Sequence, residues 1–308
     1  MKPKILAVVG PTASGKSALA VLLAARLNGE IVSCDSMQIY RGMDIGTAKP
    51  DEAERGGVRH HMLDIVSPAE SFSCADYGRH ARAAADDILS RGALPVFCGG
   101  TGLYLDAVLR CGFAPDISPD IREELKARDP AELYRELSEV DPVSAGAIHP
   151  NNVKRVLRAL EIYYGTGKTK SEWDRLSADA ERPYDALLIG LDYRSRETLY
   201  DRIDRRVDDM LQRGLAGEAE RLNLRRDSTA AQAIGYKELY GWLDGRCGRE
   251  EAVSALKRNT RNYAKRQLTW FRRNPDIHWL YPDDYPADER EDAVLRESLR
   301  LAEGFLGI

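Results

Sequence analysis

Gly10-Pro11-Thr12-Ala13-Ser14-Gly15-Lys16-Ser17 fits the pattern G-x-x-x-x-G-K-[ST], and it restricts the possible folds more than any other stretch of the chain. Its glycines let backbone N–H groups converge on an anion, and the lysine adds a positive charge beside them. Such a loop joins a strand to a helix, because the helix N-terminus completes the anion site. Both flanks comply. Ile5-Leu6-Ala7-Val8-Val9 is an apolar run of buried-strand type, and residues 17–27 read as a helix. A glycine turn that binds nothing would need neither Lys16 nor Ser17. The loop therefore implies a nucleotide-binding type of phosphate site, ATP being the default ligand, without saying which phosphate it holds.

With 308 residues the chain is long enough for about two domains and a sizeable core. A net charge of -4 argues against a protein coated in basic groups, although it averages over position. Five cysteines with no C-x-x-C pair argue against both a disulfide framework and a zinc site. The apolar run after Lys2 and Lys4 ends at Gly10, too short for a signal-peptide core. No stretch approaches the ~20 apolar residues that span a bilayer. The expectation is a cytoplasmic protein with no membrane attachment.

Along the chain, residues 30–34 read as a second strand releasing Asp35 and Ser36, which in a doubly wound sheet emerge beside the phosphate loop. Residues 37–50 fit neither helix nor strand period, and an irregular polar loop next to a phosphate site is usually functional. Residues 61–66 suggest a short third strand. Ser73-Cys74-Ala75-Asp76 has capping-box spacing and opens a helix to about Arg91. Leu94-Pro95-Val96-Phe97-Cys98 is a buried strand, and Gly99-Gly100-Thr101-Gly102 a second glycine turn that could hold the Thr101 hydroxyl over the site.

From about Pro115 the texture changes to charged amphipathic helices. The clearest runs from Asn152 to Tyr164, with Lys154, Arg155 and Arg158 on one face and Val156, Leu157, Leu160 and Ile162 as apolar cover. Gly165-Thr166-Gly167-Lys168-Thr169 follows a helix and lacks the full loop spacing, so it is a basic turn. Residues 186–191 return to strand character, which makes the helical stretch an insertion. In the next helix Arg202 and Arg206 share a face and could reach one anion, in competition with Asp201, Asp204, Asp208 and Asp209. Residues 257–273 hold seven basic residues and no acidic one, with Tyr263, Trp270 and Phe271 interleaved. That is the footprint of a nucleic-acid partner. From Asp283 the tail carries eight acidic residues against three arginines.

Three stretches go beyond a general phosphate site. The loop 10–17, the segment from Asp35-Ser36-Met37-Gln38 to Pro50, and Gly99 to Tyr104 together resemble the bacterial tRNA dimethylallyltransferases, also called tRNA isopentenyltransferases. The resemblance continues through His149-Pro150-Asn151 with Arg155 and Arg158, through Ala233-Ile234-Gly235-Tyr236-Lys237, and through Thr260-Arg261 with Lys265-Arg266-Gln267. Eukaryotic relatives add a zinc finger, for which this sequence has no cysteine after Cys247.

The resemblance implies an α/β fold, a P-loop NTPase-like core with a parallel sheet flanked by helices. The core would comprise residues 1–114 and 185–308, and an inserted all-helical domain at 115–184 would clamp the anticodon stem-loop. It implies transfer of a dimethylallyl group from dimethylallyl diphosphate to N6 of the adenosine 3′ to the anticodon (position 37), with Mg2+ held through Ser17. Asp35 would be the base, Thr101 would orient it or the amine, and Arg206 would bind diphosphate. Asp64 is a rival metal carboxylate. The tRNA would meet Asp35, Ser36, Met37, Gln38, Thr101, Arg122, Lys154, Arg155, Val156, Leu157, Arg158, Gln232, Ala233, Ile234, Gly235, Tyr236, Lys237, Arg261 and Lys265. A monomer is expected. The rivals are a prenyltransferase acting on free adenylate, which has no use for the basic helices, a small-molecule kinase, and a non-catalytic RNA-binding protein.

Overall fold

The computed structural model describes residues 2–110 and 117–308. Strand β1 (Lys4–Val9) runs through the glycine loop into helix α1 (Lys16–Arg26). Strand β2 (Gly29–Ser33) leads to an irregular segment, helix α2 (Glu52–Arg55) and the two-residue strand β3 (His60–His61). Next come α3 (Cys74–Ser90), β4 (Leu94–Gly99) and α4 (Gly102–Leu109). Five helices follow: α5 (Pro119–Lys126), α6 (Pro130–Val140), α7 (Pro142–Ala147), α8 (Val153–Thr166) and α9 (Lys170–Asp179). The chain then forms β5 (Asp185–Leu191), α10 (Arg196–Gln212), α11 (Leu215–Leu222), α12 (Tyr236–Leu243), the long α13 (Arg249–Phe271), β6 (Ile277–Leu280) and α14 (Arg290–Leu306).

The six strands form one parallel sheet in the order β3-β2-β4-β1-β5-β6. A parallel sheet is covered on both faces, so its central strands read as unbroken apolar runs; Ile5, Leu6, Ala7 and Val8 are each fully buried. The register pairs Val9 with Gly99 and Ser33 with Cys98. Gly10, Cys34 and Gly100 therefore leave the sheet side by side at its C-terminal edge, where open α/β sheets bind their ligands.

Some expectations need correction. The strand foreseen at 61–66 shrinks to residues 60–61, because Met62 and Asp64 take left-handed φ angles of 64° and 56° and end the extended run. The acidic tail includes α14, whose Val294 and Ala302 join the sheet-and-α1 core while its carboxylates face solvent. The Ser73 capping box is present in both halves, Asp76 N–H to Ser73 Oγ at 3.1 Å and Ser73 N–H to Asp76 Oδ2 at 2.9 Å.

Contacts divide the chain into two compact units, Met1–Asp106 with Tyr184–Ile308, and Ala107–Pro183. The boundary expected between residues 114 and 115 lies outside the described residues. The first unit holds the sheet core and a second cluster around Ile39, Tyr40, Met43, Tyr236 and Tyr240. The helical unit has its own core of Leu125, Leu133, Leu137, Val156 and Leu160. Within it the buried Asp141 carboxylate accepts the Ser144 and Ser171 N–H groups at 3.1 and 3.0 Å, tying α7 to α9. Among the described residues no helix is long and apolar enough to cross a membrane.

Candidate active site

The phosphate loop has the backbone its letters demand. Gly10 and Gly15 sit at φ 146° and 93°, and a Cβ at Gly10 would come within 2.4 Å of the Leu191 carbonyl oxygen. Ala13 holds φ 63°, a strained position for a side-chain-bearing residue. Arg202 donates to its carbonyl at 2.9 Å and so helps to hold the turn. Ser14 Oγ is buried with no hydrogen-bond partner, an orphan hydroxyl inside the cradle. Lys16 Nζ donates to Pro11 O at 3.2 Å.

A cavity of about 310 Å³ opens against this loop. Thr12, Lys16 and Ser17 line it from the loop, and Asp35, Ser36, Met37 and Gln38 from the end of β2. Arg206 and Met210 of α10, the turn Gln232-Ala233-Ile234-Gly235 with Lys237, and Tyr263, Arg266 and Gln267 of α13 complete the wall. Asp35 Oδ1 accepts the Met37 N–H at 2.9 Å, which leaves its other oxygen for a ligand. Thr101 stands one step back from the cavity. Its hydroxyl accepts the Ser36 N–H at 3.2 Å and donates to Ser36 Oγ at 3.4 Å, with the Tyr263 phenol nearby.

The electrostatics separate two ends. Burial, and then the Arg206 charge, lower the Lys16 pKa, while Asp35 pulls it back up. Burial likewise lowers Arg206, which Asp35 offsets. Two half-buried cations thus face each other, and such a pair is relieved by a multiply charged anion. Of the α10 carboxylates, Asp209 lends Arg206 a favourable charge that burial outweighs, and two others are engaged elsewhere. Asp204 pairs with Arg261 at 2.7 Å and Asp208 with Lys257 at 2.7 Å, both on α13. A second opening of about 360 Å³, lined by Ala13, Gly15, Lys16, Ser17, Ala18, Arg202, Arg205 and Arg206, shows the same basic face from another side. Burial raises the Cys34 thiol to about 12 and Cys98 to about 11, so neither supplies a thiolate nucleophile at neutral pH.

Other predicted residues lie elsewhere. Arg261 is committed to Asp204, which thins the basic stripe of α13 to Arg258, Lys265 and Arg266 on exposed positions, with Arg273 just past its end. Tyr236 turns away from the cavity and donates to Glu218 at 2.6 Å. Asp64, the rival metal carboxylate, accepts the buried Lys49 ammonium at 2.5 Å and does not line the cavity. In the helical unit Val156 is 1% exposed, so its side chain is spent on the core, and Leu157 packs against it. Arg122 forks onto Glu161 at 2.7 and 3.1 Å, and Arg158 reaches the same carboxylate at 3.3 Å. Burial would raise Glu161, but these arginines hold it below the usual carboxylate range. Lys154 and Arg155 remain on the exposed face.

Gln267 and Tyr263 fall in stretches the sequence singles out, but neither stands out there as a residue of the site. Gln267 is 4% exposed, accepts Thr12 N–H at 2.9 Å and donates to Gly100 O at 3.0 Å, so it joins both glycine turns. Its signal was membership of the family-like Lys265-Arg266-Gln267, which says nothing of the contacts it makes.

A family model described as IPP transferase matches residues 38–274, and one described as isopentenyl transferase matches residues 3–71. The chain is similar to the tRNA dimethylallyltransferase of Geobacillus thermodenitrificans, with 52% identity covering 99% of this chain and 98% of that one. Among solved structures it is similar to the full-length tRNA isopentenylpyrophosphate transferase of Bacillus halodurans (46% identity, TM-score 0.73, 99% of both chains). It is also similar to a eukaryotic dimethylallyltransferase acting on tRNA (33% identity, TM-score 0.81, 91% of this chain and 74% of that one).

Proposed function

The chain belongs to the IPP transferase family, and from that premise we propose that it transfers the dimethylallyl group of dimethylallyl diphosphate to N6 of the adenosine next to a tRNA anticodon, at position 37. One observation carries the reading: a single cavity has a cationic, phosphate-cradling end at Lys16 and Arg206 and a carboxylate, Asp35, within electrostatic reach of both. Relatives named for tRNA favour tRNA over a free adenylate.

In this mechanism the N6 lone pair attacks C1 of the allyl group, the C1–O bond breaks, and its electron pair leaves with diphosphate. Asp35 accepts the N6 proton through the oxygen not occupied by Met37. The loop amides, Lys16 and Arg206 stabilise the charge that builds on the leaving group. Thr101 fixes the Asp35–Ser36 turn through the Ser36 amide. Reaching the cavity requires the base to leave its stack, at about a few kcal/mol, offset by phosphate contacts.

The residues fit Mg2+ of one kind. Among the described residues no group of three or more His, Cys, Asp or Glu could hold a metal, so the ion would bind through the Ser17 hydroxyl, diphosphate oxygens and water. Bound there, Mg2+ supplies charge neutralisation to the leaving diphosphate. The test is purified protein with Mg2+ and dimethylallyl diphosphate, offered unmodified tRNA, free adenine nucleotides, or ATP with small acceptors. Prenyl mass gained by tRNA alone is expected; gain only on free nucleotide, or phosphoryl transfer from ATP, overturns the reading.

A further inference from the structure

Glu218 stands in the first turn of α11 and is 3% exposed, yet its carboxylate is saturated with donors. Oε2 accepts the N–H groups of Asp44 at 3.0 Å and Ile45 at 2.8 Å, and Oε1 accepts Gly46 N–H at 2.9 Å and the Tyr236 hydroxyl at 2.6 Å. Three consecutive amides and a phenol thus meet a buried charge that would otherwise be costly. Burial and the bond to Glu218 push the Tyr236 phenol far above its usual range, which keeps it a donor. Gly46 packs against the Tyr236 ring, where a Cβ would come within 2.5 Å.

This network ends at the cavity. Gly46 and Thr47 line it, and the Thr47 and Ala48 carbonyls accept the Gln38 amide at 3.2 and 3.1 Å. Gln38 Oε1 in turn accepts the Ser33 hydroxyl at 2.9 Å, so the amide orientation is set at both ends. Gly235 and Lys237, the neighbours of Tyr236, line the same cavity. The diphosphate end is held by different bonds, Lys16 on Pro11 and Arg202 on Ala13.

We propose that Glu218 is a positioning residue for the acceptor base: it clamps residues 44–46 onto Tyr236 and thereby sets the Gln38–Thr47 wall against which the adenine edge is read, without touching the donor end. The inference rests on the tRNA prenylation reading above.

Steady-state kinetics on the full chain, with an anticodon stem-loop RNA and dimethylallyl diphosphate, test it. Glu218→Gln keeps the volume but turns an NH2 toward backbone N–H groups. Expected is a tenfold or greater rise in KM for the RNA, with KM for dimethylallyl diphosphate and pyrophosphate affinity within twofold of wild type. Tyr236→Phe removes one donor of four and gives a smaller shift in the same direction. If Glu218→Gln does not fold, Tyr236→Phe decides alone. Equal changes in both KM values, or no change in either, overturn the proposal. A wild-type enzyme that fails to prenylate the RNA overturns the underlying reading; failure of the Glu218 variants alone leaves that reading standing.

Discussion

The side-chain carbonyl of Gln267 accepts the backbone N–H of Thr12 at 2.9 Å, so the long basic helix α13 is fastened directly to the phosphate loop. The same amide donates to Gly100 O at 3.0 Å. Gln267→Leu matches the size but leaves the buried Gly100 carbonyl unpaired, at about 1–3 kcal/mol, and releases the part-buried Thr12 N–H at the cavity. Urea unfolding is expected to show a loss of about 2 kcal/mol or more, and pyrophosphate titration a weaker affinity through a looser loop. Unchanged values in both would show that the loop holds its shape without α13.

The phosphate loop, the buried strands and the Ser73 cap were legible because each is a local pattern with a local cause. Gln267, Tyr263 and Glu218 were not, because their roles come from partners 255, about 160 and about 170 positions away, which no periodicity encodes. Charge counting misjudged α13 for a related reason. Lys257 and Arg261 read as a free stripe until α10 is laid beside them with Asp208 and Asp204. Arg122 and Arg158 similarly face the buried Glu161.

Because burial and Arg206 depress Lys16, its charge is lost at lower pH than for an ordinary lysine. A bound anion favours the protonated form, so pyrophosphate binds best below the depressed pKa and weakens as pH rises through it. Lys16→Arg stays charged throughout. The ratio of wild-type to variant affinity, measured by calorimetry from pH 7 upward, is expected to fall with pH; a flat ratio contradicts the assignment.

Glu30 links β2 to Arg91 at the end of α3 and to His61 at 2.6 Å. The Arg91 hydrogen bonds, working against burial, hold its pKa at about 2. A depressed carboxylate stabilises the fold above its unfolded pKa, and that gain drains away as pH falls from there through about 2. Wild type should exceed Glu30→Gln by on the order of 1–2 kcal/mol at pH 6, a figure discounted because Arg91 is 37% exposed. The margin should shrink by pH 2.5 in urea unfolding at both values; a margin independent of pH excludes the ion pair as its source.

Within the helical unit two kinds of basic residue can be told apart by salt. Lys154→Ala with Arg155→Ala removes exposed charges, and the slope of log affinity for an anticodon stem-loop against log salt should flatten by about 1–2. Arg122→Ala strips the main partner from buried Glu161 but leaves Arg158 in place, and because Arg122 is 52% exposed it should lower stability by about 1–2 kcal/mol while changing the slope little. Thermal unfolding and filter binding at several salt concentrations separate the two outcomes; a reversal would mean that Arg122 is the RNA contact.

Asp35→Asn isolates the proposed base. Asparagine keeps an oxygen for the Met37 N–H, so the turn at Ser36 survives, but the site loses its proton acceptor. Turnover should fall about 10²–10⁴-fold, the range of a positioned base. The substitution also removes a negative charge felt by Lys16 and Arg206, so pyrophosphate affinity near neutral pH should hold or tighten. That pairing of outcomes separates a base from a structural residue, whose loss would loosen the loop and weaken the anion as well. Single-turnover kinetics with calorimetry read both quantities, and unchanged turnover would remove Asp35 from the chemistry.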